Sequence, residues 1–141
     1  MRLYLDTNIL VFLATGEEDE INADVGGMIF DYENSLLTST VCVHEFIHLF
    51  QIGKIHTSRR GALPNVSGFE RWLDDMGVKV VPVMVNHLRE LASLPILGDH
   101  RDPNDRLIIA QAISDRVPLI SSDRKFARYA KHGLDFVFNE R

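Results

Sequence analysis

Residues 102–123, DPNDRLIIAQAISDRVPLISSD, combine a capped helix, a buried strand and an acid at the end of that strand. Asp102 followed by Pro103 is a favourable helix start, with aspartate as the N-cap and proline at the first helical position. The apolar run 118–121 predicts a buried strand that ends just before Asp123. A helix followed directly by a buried strand is typical of an α/β fold with a mainly parallel sheet.

One acid in this segment, Asp105, is unexpected. At about 100° per residue it lies on the same helix stripe as Ile108 and Ile109, which should face the core. An uncompensated carboxylate on a buried stripe is costly. Two explanations are open: Asp105 can reach back to the cap at Asp102 and favour the positive end of the helix dipole, or it can belong to a functional site.

The N-terminal segment repeats the arrangement of a buried strand followed by an acid. Residues 3–5 predict a short buried strand, Asp6 follows, and residues 9–13 continue as a helix. Sites in open parallel sheets form just outside the carboxyl ends of the strands, so Asp6 is well placed for one. A helix-capping role for Asp6 or Thr7 is the alternative.

The remaining chain alternates helices with strands, which predicts an α/β fold with a mainly parallel central sheet flanked by helices. With 45% hydrophobic residues, the 141 residues can bury the core of one domain, and a single domain over 1–141 is predicted. The other predicted helices are 23–32, 41–52, 67–76, 86–94 and 124–131, and the other predicted strands are 36–38, 78–83 and an edge strand at 134–138.

A further acid, Glu45, belongs to the predicted helix 41–52. At helical spacing it shares an apolar stripe with Leu49 and Ile52. A buried carboxylate without compensation would tend to protonate. A bound metal ion or a paired base would resolve this conflict.

Four acids therefore occupy comparable positions, two at strand ends and two on helices, and all could meet at one edge of a parallel sheet. Converging carboxylates raise one another's pKa unless cations are bound, and oxygen ligands without thiolate favour Mg²⁺ or Mn²⁺. Such ions can align a water and stabilise an in-line displacement at phosphorus, so phosphodiester hydrolysis is the implied reaction. The four acids are Asp6, Glu45, Asp105 and Asp123.

Composition excludes several other classes of protein. A formal net charge of -5 and a pI near 5.6 argue against a simple polyanion-binding module. The single cysteine, Cys42, allows no intramolecular disulfide and favours a reducing, cytoplasmic setting. No apolar run approaches the roughly 18 residues of a membrane span, and the N-terminal apolar run is too short for a signal peptide.

Four segments in this order resemble the PIN-domain family, especially VapC-type toxins of bacterial toxin–antitoxin pairs. The resemblance implies a three-layer, PIN-like (Rossmann-like) fold and a divalent-metal-dependent endoribonuclease, often a homodimer, held inactive by a cognate antitoxin. Asn104 stands where such segments usually carry phenylalanine, a departure that concerns local packing more than chemistry. The segments are Leu5–Asn8, the helix with Glu45, Asp102–Arg106 and Ser121–Asp123.

By this resemblance, the four acids named above are the catalytic and metal-binding residues and would hold Mg²⁺ or Mn²⁺. Thr7, Asn8 and Ser121 would lie near the site as hydrogen-bonding groups. Asp102 is a possible additional ligand, although its first role is the helix cap. The candidate phosphate contacts are residues 54–60 of the basic loop 54–65, together with Arg71, Arg106, Arg124 and Lys125.

A rival motif overlaps Glu45. His44–His48 reads HEFIH and matches H-E-x-x-H, the signature in which two histidines on a helix hold zinc and the glutamate acts as a base. A zinc metallopeptidase would need a third ligand, for which Glu70 is available. This alternative leaves the three aspartates of the acidic set without a role.

A third possibility is a non-catalytic PIN-like domain that binds RNA or a protein partner, and the intact set of acids argues against it. The motif histidines would then be ordinary packing or rim residues beside Glu45. The sequence predicts surface positions for His87, His100 and His132.

Overall fold

A computed structural model describes residues 1–55, 63 and 65–141 of the chain. Most of the predicted basic loop 54–65 lies outside the described residues. The described part forms a parallel sheet of five strands with helices around it, which confirms the α/β prediction. The strands are β1 (Arg2–Leu5), β2 (Ser35–Ser39), β3 (Val78–Val81), β4 (Leu119–Ser121) and β5 (Phe136–Phe138).

The sheet has the order β3-β2-β1-β4-β5, and every pair of neighbours is parallel. β1 is central, and Leu3, Tyr4 and Leu5 are each 0% exposed. Tyr4 is in register with Leu119 of β4, so the ends of β1 and β4 lie side by side. The residues that follow these two strands therefore share one edge of the sheet.

The predicted helices are present, with ends that differ by a few residues. α1 begins at Thr7 because the Asp6 side chain caps it. The segment predicted as helix 124–131 forms 3₁₀ turns, which end at Gly133 with a left-handed φ of 102°. The helices are α1 (Thr7–Ala14), α2 (Ala23–Ile29), α3 (Thr40–Gln51), α4 (Phe69–Asp75), α5 (Val85–Ser93) and α6 (Pro103–Asp115), with 3₁₀ turns at Glu18–Glu20, Val66–Gly68 and Arg124–His132.

The buried face of α3 differs from the prediction. Cys42, Val43 and Phe46 are buried, and Phe46 stacks on the half-buried Trp72 with ring centroids 5.8 Å apart. Ile52, predicted on the apolar stripe of Glu45, is 49% exposed. The stripe prediction was wrong because tertiary packing buries the adjacent face, and Glu45 lies half-buried at the margin of the core.

A surface position for His87 was also a wrong prediction, since this residue is 1% exposed. Its Nδ1 accepts the backbone N–H of Met84 at 2.9 Å, so the proton of the neutral ring resides on Nε2, which donates to Asp115 Oδ1 at 2.8 Å. The Tyr4 hydroxyl donates to Asp115 Oδ2 at 2.6 Å. This network joins α5, α6 and β1, and its burial raises the pKa of Tyr4.

Within the described residues, no helix combines the length and the hydropathy needed to cross a membrane.

Candidate metal-binding active site

Asp6 both caps a helix and occupies the edge of the sheet. One carboxylate oxygen accepts the Thr7 backbone N–H at 2.8 Å, and the other accepts the Ser121 hydroxyl at 2.7 Å. Burial raises the pKa of Asp6 to about 7, against the effect of these hydrogen bonds, and the charges of Asp105 and Glu45 raise it further. The capping role and the site position predicted for Asp6 are therefore compatible.

Asn8 and Ser121 connect the segments that follow β1 and β4. The Asn8 amide donates to both Asp6, at 3.2 Å, and the Ser121 hydroxyl, at 3.1 Å. Asn8 Oδ1 accepts the backbone N–H of Ser122 at 3.2 Å, and Ser121 Oγ accepts that of Asp123 at 3.0 Å. These bonds hold Asp6 and Asp123 in neighbouring positions at the sheet edge.

Asp102 and Asp105 have different roles in α6. Asp102 accepts the backbone N–H groups of Asn104 at 2.9 Å and Asp105 at 3.2 Å, so it is the N-cap, as predicted. The Asp105 carboxylate, 23% exposed, contacts His100 instead of reaching back to the cap. Burial raises the pKa of Asp105 to about 7, and the charges of Asp102, Asp123 and Glu45 add to this effect.

Glu45 and Asp123 complete the acidic set. The charge of the half-buried Glu45 raises the pKa of both Asp6 and Asp105, so the three carboxylates interact electrostatically. Asp123 caps the following 3₁₀ turns by accepting the Lys125 backbone N–H at 3.0 Å. Of the four predicted acids, Asp105 and Asp123 have ligand atoms within 4.8 Å of each other, whereas Asp6 and Glu45 lie outside that group and interact with Asp105 through their charges.

His100 is the site residue that sequence reasoning missed. It was predicted at the surface but is 3% exposed. Its Nε2 lies 3.2 Å from Asp105 Oδ2, and its Nδ1 lies 2.7 Å from the Tyr129 hydroxyl. Burial lowers the pKa of His100 and so favours the neutral ring. No periodic pattern marks this position, because it lies in the loop before α6.

The donor set fits a divalent cation. Ligand atoms of His100, Asp105 and Asp123 all lie within 4.8 Å of one another, and in the described part of the chain this is the only such group of three or more residues. Carboxylates whose pKa is raised by burial and mutual repulsion are stabilised in the ionised form by a cation. Oxygen-rich sets of this kind suit Mg²⁺ and Mn²⁺.

The H-E-x-x-H motif does not form a comparable group among these residues. His44 and His48 are exposed on α3, and neither joins Glu70 in a set of three ligand atoms. His44 and Glu70 line a cavity of about 790 Å³ between α3, α4 and β3, whose walls also include Val43, Ile47, Phe69 and Leu73. The geometry therefore does not favour a zinc peptidase.

Comparisons with known proteins agree with this architecture. The model of the PIN domain matches residues 3–132, so this chain belongs to the PIN-domain family. None of the curated proteins compared with the sequence matches it.

Several solved structures share the fold. VapBC2 from Rickettsia felis, bound to a DNA fragment from their promoter, contains a chain with 18% identity and a TM-score of 0.70, matched over 99% of this chain and 100% of that chain. VapBC-1 from nontypeable Haemophilus influenzae gives 19% identity, a TM-score of 0.64 and 98% coverage of both chains. VapBC-5 from Mycobacterium tuberculosis, a member of the VapBC family of toxin–antitoxin systems, gives 19% identity and a TM-score of 0.58. The match covers 99% of this chain and 98% of that chain.

Proposed function

We propose that this chain is a divalent-metal-dependent endoribonuclease that hydrolyses RNA phosphodiester bonds and serves as the toxin of a toxin–antitoxin pair. The observation that carries the proposal is a group of carboxylates at the carboxyl edge of a parallel sheet in a PIN-domain protein, in which ligand atoms of Asp105 and Asp123 lie within 4.8 Å of each other and the charge of Asp105 acts on Asp6. Two of them, Asp6 and Asp105, have a pKa raised to about 7, which a bound cation would offset.

In this proposal the acids hold the metal, and the surrounding residues hold the acids. Bound Mg²⁺ or Mn²⁺ would polarise the scissile phosphate and make a water a better nucleophile. Ser121 and Asn8 orient the Asp6 carboxylate through hydrogen bonds at 2.7 and 3.2 Å, and the backbone N–H of Thr7 fixes its other oxygen. No covalent enzyme intermediate and no histidine or lysine base are needed.

Exposed cations beside the acids supply the proposed contacts with the RNA backbone. Arg124 and Lys125 follow Asp123 directly and are exposed. Arg106 is a weaker candidate, because its guanidinium donates to the Leu94 carbonyl at 2.6 Å. Phosphate contacts of this type position a nucleic acid without reading its sequence.

The test of catalysis is Asp6→Asn, assayed for RNA cleavage in Mg²⁺ and in Mn²⁺. We expect a loss of roughly 100-fold or more, because small errors in site geometry already cost that much, while the circular dichroism spectrum stays unchanged. Asp31→Asn, at an exposed acid that precedes β2 and so lies at the opposite edge of the sheet from the site, is the matched control and should retain activity. Full activity in Asp6→Asn would contradict the mechanism, and RNA binding without cleavage in the unmodified protein would indicate a non-catalytic domain.

The antitoxin is the partner that we propose on the basis of the structural neighbours, one of which belongs to the VapBC family of toxin–antitoxin systems. Expression of the chain alone should arrest growth, and co-expression of a neighbouring small gene should relieve the arrest. Since the substrate would be cellular RNA, the proposed site of action is the cytoplasm. Growth arrest that persists in Asp6→Asn would separate toxicity from cleavage and count against the toxin role.

We also propose a homodimer. Exposed apolar side chains along and after α5 support a self-association surface, since Val85 is 69%, Leu88 48% and Ile96 56% exposed. Leu88→Asp should convert a dimer to a monomer in analytical ultracentrifugation, and Arg89→Asp on the same helix is the control. A monomeric unmodified chain at micromolar concentration would overturn this part of the proposal.

A further inference from the structure

We infer that His100 is itself a ligand of the divalent cation through Nε2, together with Asp105 and Asp123, and that this nitrogen favours Mn²⁺ over Mg²⁺. The inference rests on the proposed function, which assigns the cation to the acids alone. His100 would add an imidazole nitrogen to a ligand set that otherwise consists of carboxylate oxygens.

Two aromatic rings and one backbone hydrogen bond fix the position of His100. The ring packs against Tyr129 and Phe126, with centroid distances of 5.4 and 6.0 Å. The backbone N–H of His100 donates to the Leu97 carbonyl at 3.0 Å, in an isolated bridge between these residues. With the ring 3% exposed and Nδ1 bonded to Tyr129, only Nε2 faces the acids.

Distances around Nε2 match the spacing of ligands on one cation. Nε2 lies 3.2 Å from Asp105 Oδ2, and the ligand atoms of His100, Asp105 and Asp123 lie within 4.8 Å of one another. Two ligand atoms each about 2.1 Å from a cation, at right angles, are about 3.0 Å apart. The existing arrangement therefore needs little rearrangement to bind.

The Tyr129 hydroxyl allows the ring to change tautomer without moving. A hydroxyl can donate or accept, so it can pair with Nδ1 in either protonation state of that nitrogen. When Nδ1–H donates to the hydroxyl at 2.7 Å, Nε2 presents its lone pair to the cation. A hydrogen bond at the second nitrogen is the usual feature of a metal-binding histidine.

The nitrogen ligand bears on the choice of metal. Carboxylate and water ligands suit Mg²⁺ and Mn²⁺ alike, whereas imidazole is a better ligand for transition ions. A site that combines His100 with Asp105 and Asp123 should therefore bind Mn²⁺ in preference to Mg²⁺.

The experiment is pulsed electron paramagnetic resonance on the full chain loaded with Mn²⁺ alone. A coordinated imidazole nitrogen modulates the electron spin echo at ¹⁴N frequencies, and labelling with ¹⁵N-histidine should replace that pattern in the unmodified protein. His100→Gln should abolish the nitrogen modulation, whereas His44→Gln, beside the proposed ligand Glu45, should retain it. The labelling arm requires no variant and so does not depend on the folding of one.

Titration calorimetry separates ligation from a purely structural role. Glutamine can offer an oxygen in place of Nε2, so His100→Gln should lower the ratio of Mn²⁺ to Mg²⁺ affinity by about tenfold. A structural role would weaken both ions equally and would overturn the inference. Tyr129→Phe should keep the nitrogen modulation and weaken Mn²⁺ binding by roughly tenfold or more.

The outcomes distinguish this inference from the proposed function. Bound Mn²⁺ with no histidine nitrogen signal, or a signal lost in His44→Gln, would overturn the role of His100 and leave the acidic site intact. Failure to bind Mn²⁺ at all, at millimolar concentration, would overturn both.

Discussion

Two buried histidines, His87 and His100, each contact an aspartate, yet their surroundings differ. His87 lies between α5 and α6, and its Nδ1 is occupied by a backbone N–H. His100 lies beside the acidic centre, and its Nδ1 is occupied by the Tyr129 hydroxyl. Both histidines are at most 3% exposed, so burial alone does not distinguish them.

The two histidines differ in the group that forms a hydrogen bond with Nδ1, the ring nitrogen that does not face the aspartate. A backbone N–H can only donate, so the proton of neutral His87 is confined to Nε2, and the pair with Asp115 is a fixed cross-link. A hydroxyl can donate or accept, so His100 can present either a proton or a lone pair to Asp105. The hydrogen-bond partner of Nδ1 is therefore more informative about function than the contact between Nε2 and the aspartate.

The largest expected difference is in catalysis. Asp105→Asn should reduce RNA cleavage by roughly 100-fold or more, because it removes a charge from the proposed metal site. Asp115→Asn should leave cleavage nearly unchanged and instead lower the free energy of unfolding by about 1–3 kcal/mol, because the charged partner of His87 is lost. Cleavage assays and urea denaturation of both variants check this prediction. Equal losses of activity would contradict the separation of a functional Asp105 from a structural Asp115.

The pH dependence of stability should originate in the acidic centre. The pKa of Asp6 is raised to about 7 in the folded protein, so the folded state binds this proton more tightly than the unfolded state does. The free energy of unfolding should therefore fall as the pH rises from about 4 to 7, by at most about 1.4 kcal/mol per pH unit from Asp6. Urea denaturation across this range, without divalent cations, measures the slope.

Two comparisons check the origin of that slope. Asp6→Asn should remove the Asp6 share of the slope and leave that of Asp105, whose pKa is also raised to about 7. Mg²⁺ should reduce the slope in the unmodified protein by stabilising the ionised carboxylates. Tyr4→Phe, in the network of His87, should leave it unchanged. An identical slope in Asp6→Asn would show that other groups are responsible.

Removal of His87, which lies away from the acidic site, should lower the stability of the fold without changing metal binding. In His87→Ala the Met84 N–H and the Asp115 carboxylate lose their partner, so we expect the free energy of unfolding to fall by about 2 kcal/mol. The stabilisation by Mn²⁺ in thermal melts should match that of the unmodified chain. A reduced Mn²⁺ effect would mean that the two histidine regions are coupled.

The smallest expected effect is that of Tyr4→Phe. The substitution removes the hydroxyl that donates to Asp115 at 2.6 Å and accepts from Gln111 at 3.2 Å, and it retains the ring. We expect a loss of about 1 kcal/mol in urea denaturation, with cleavage unaffected. In Tyr129→Phe, metal affinity should change instead. Comparison of the two variants therefore separates the hydrogen-bond network of His87 from that of His100.

Sequence patterns predicted the features that depend on local order. The apolar runs located the buried strands, and parallel pairing then located Asp6 and Asp123 at one edge. The N-cap at Asp102 was equally local. The PIN-domain resemblance, carried by short segments in order, agreed with the family match over residues 3–132.

Features that depend on tertiary packing were not predictable in this way. The burial of His100 requires Tyr129 and Phe126, which lie far along the chain, and the loop before α6 has no periodicity to indicate it. The face of Glu45 was misassigned because both sides of α3 carry apolar residues, and only packing decides which is buried.

The bonds between Asn8 and the segment after β4 have a consequence for biosynthesis. Asn8 contacts Ser121 across 113 positions of the chain, so the edge that holds Asp6 and Asp123 closes only when the first and fourth strands pair. Contacts this distant form late in folding because of their loop-closure entropy. A nascent chain that has not yet released its fourth strand from the ribosome therefore lacks an assembled acidic edge, so the proposed activity would begin only after that strand has emerged and paired.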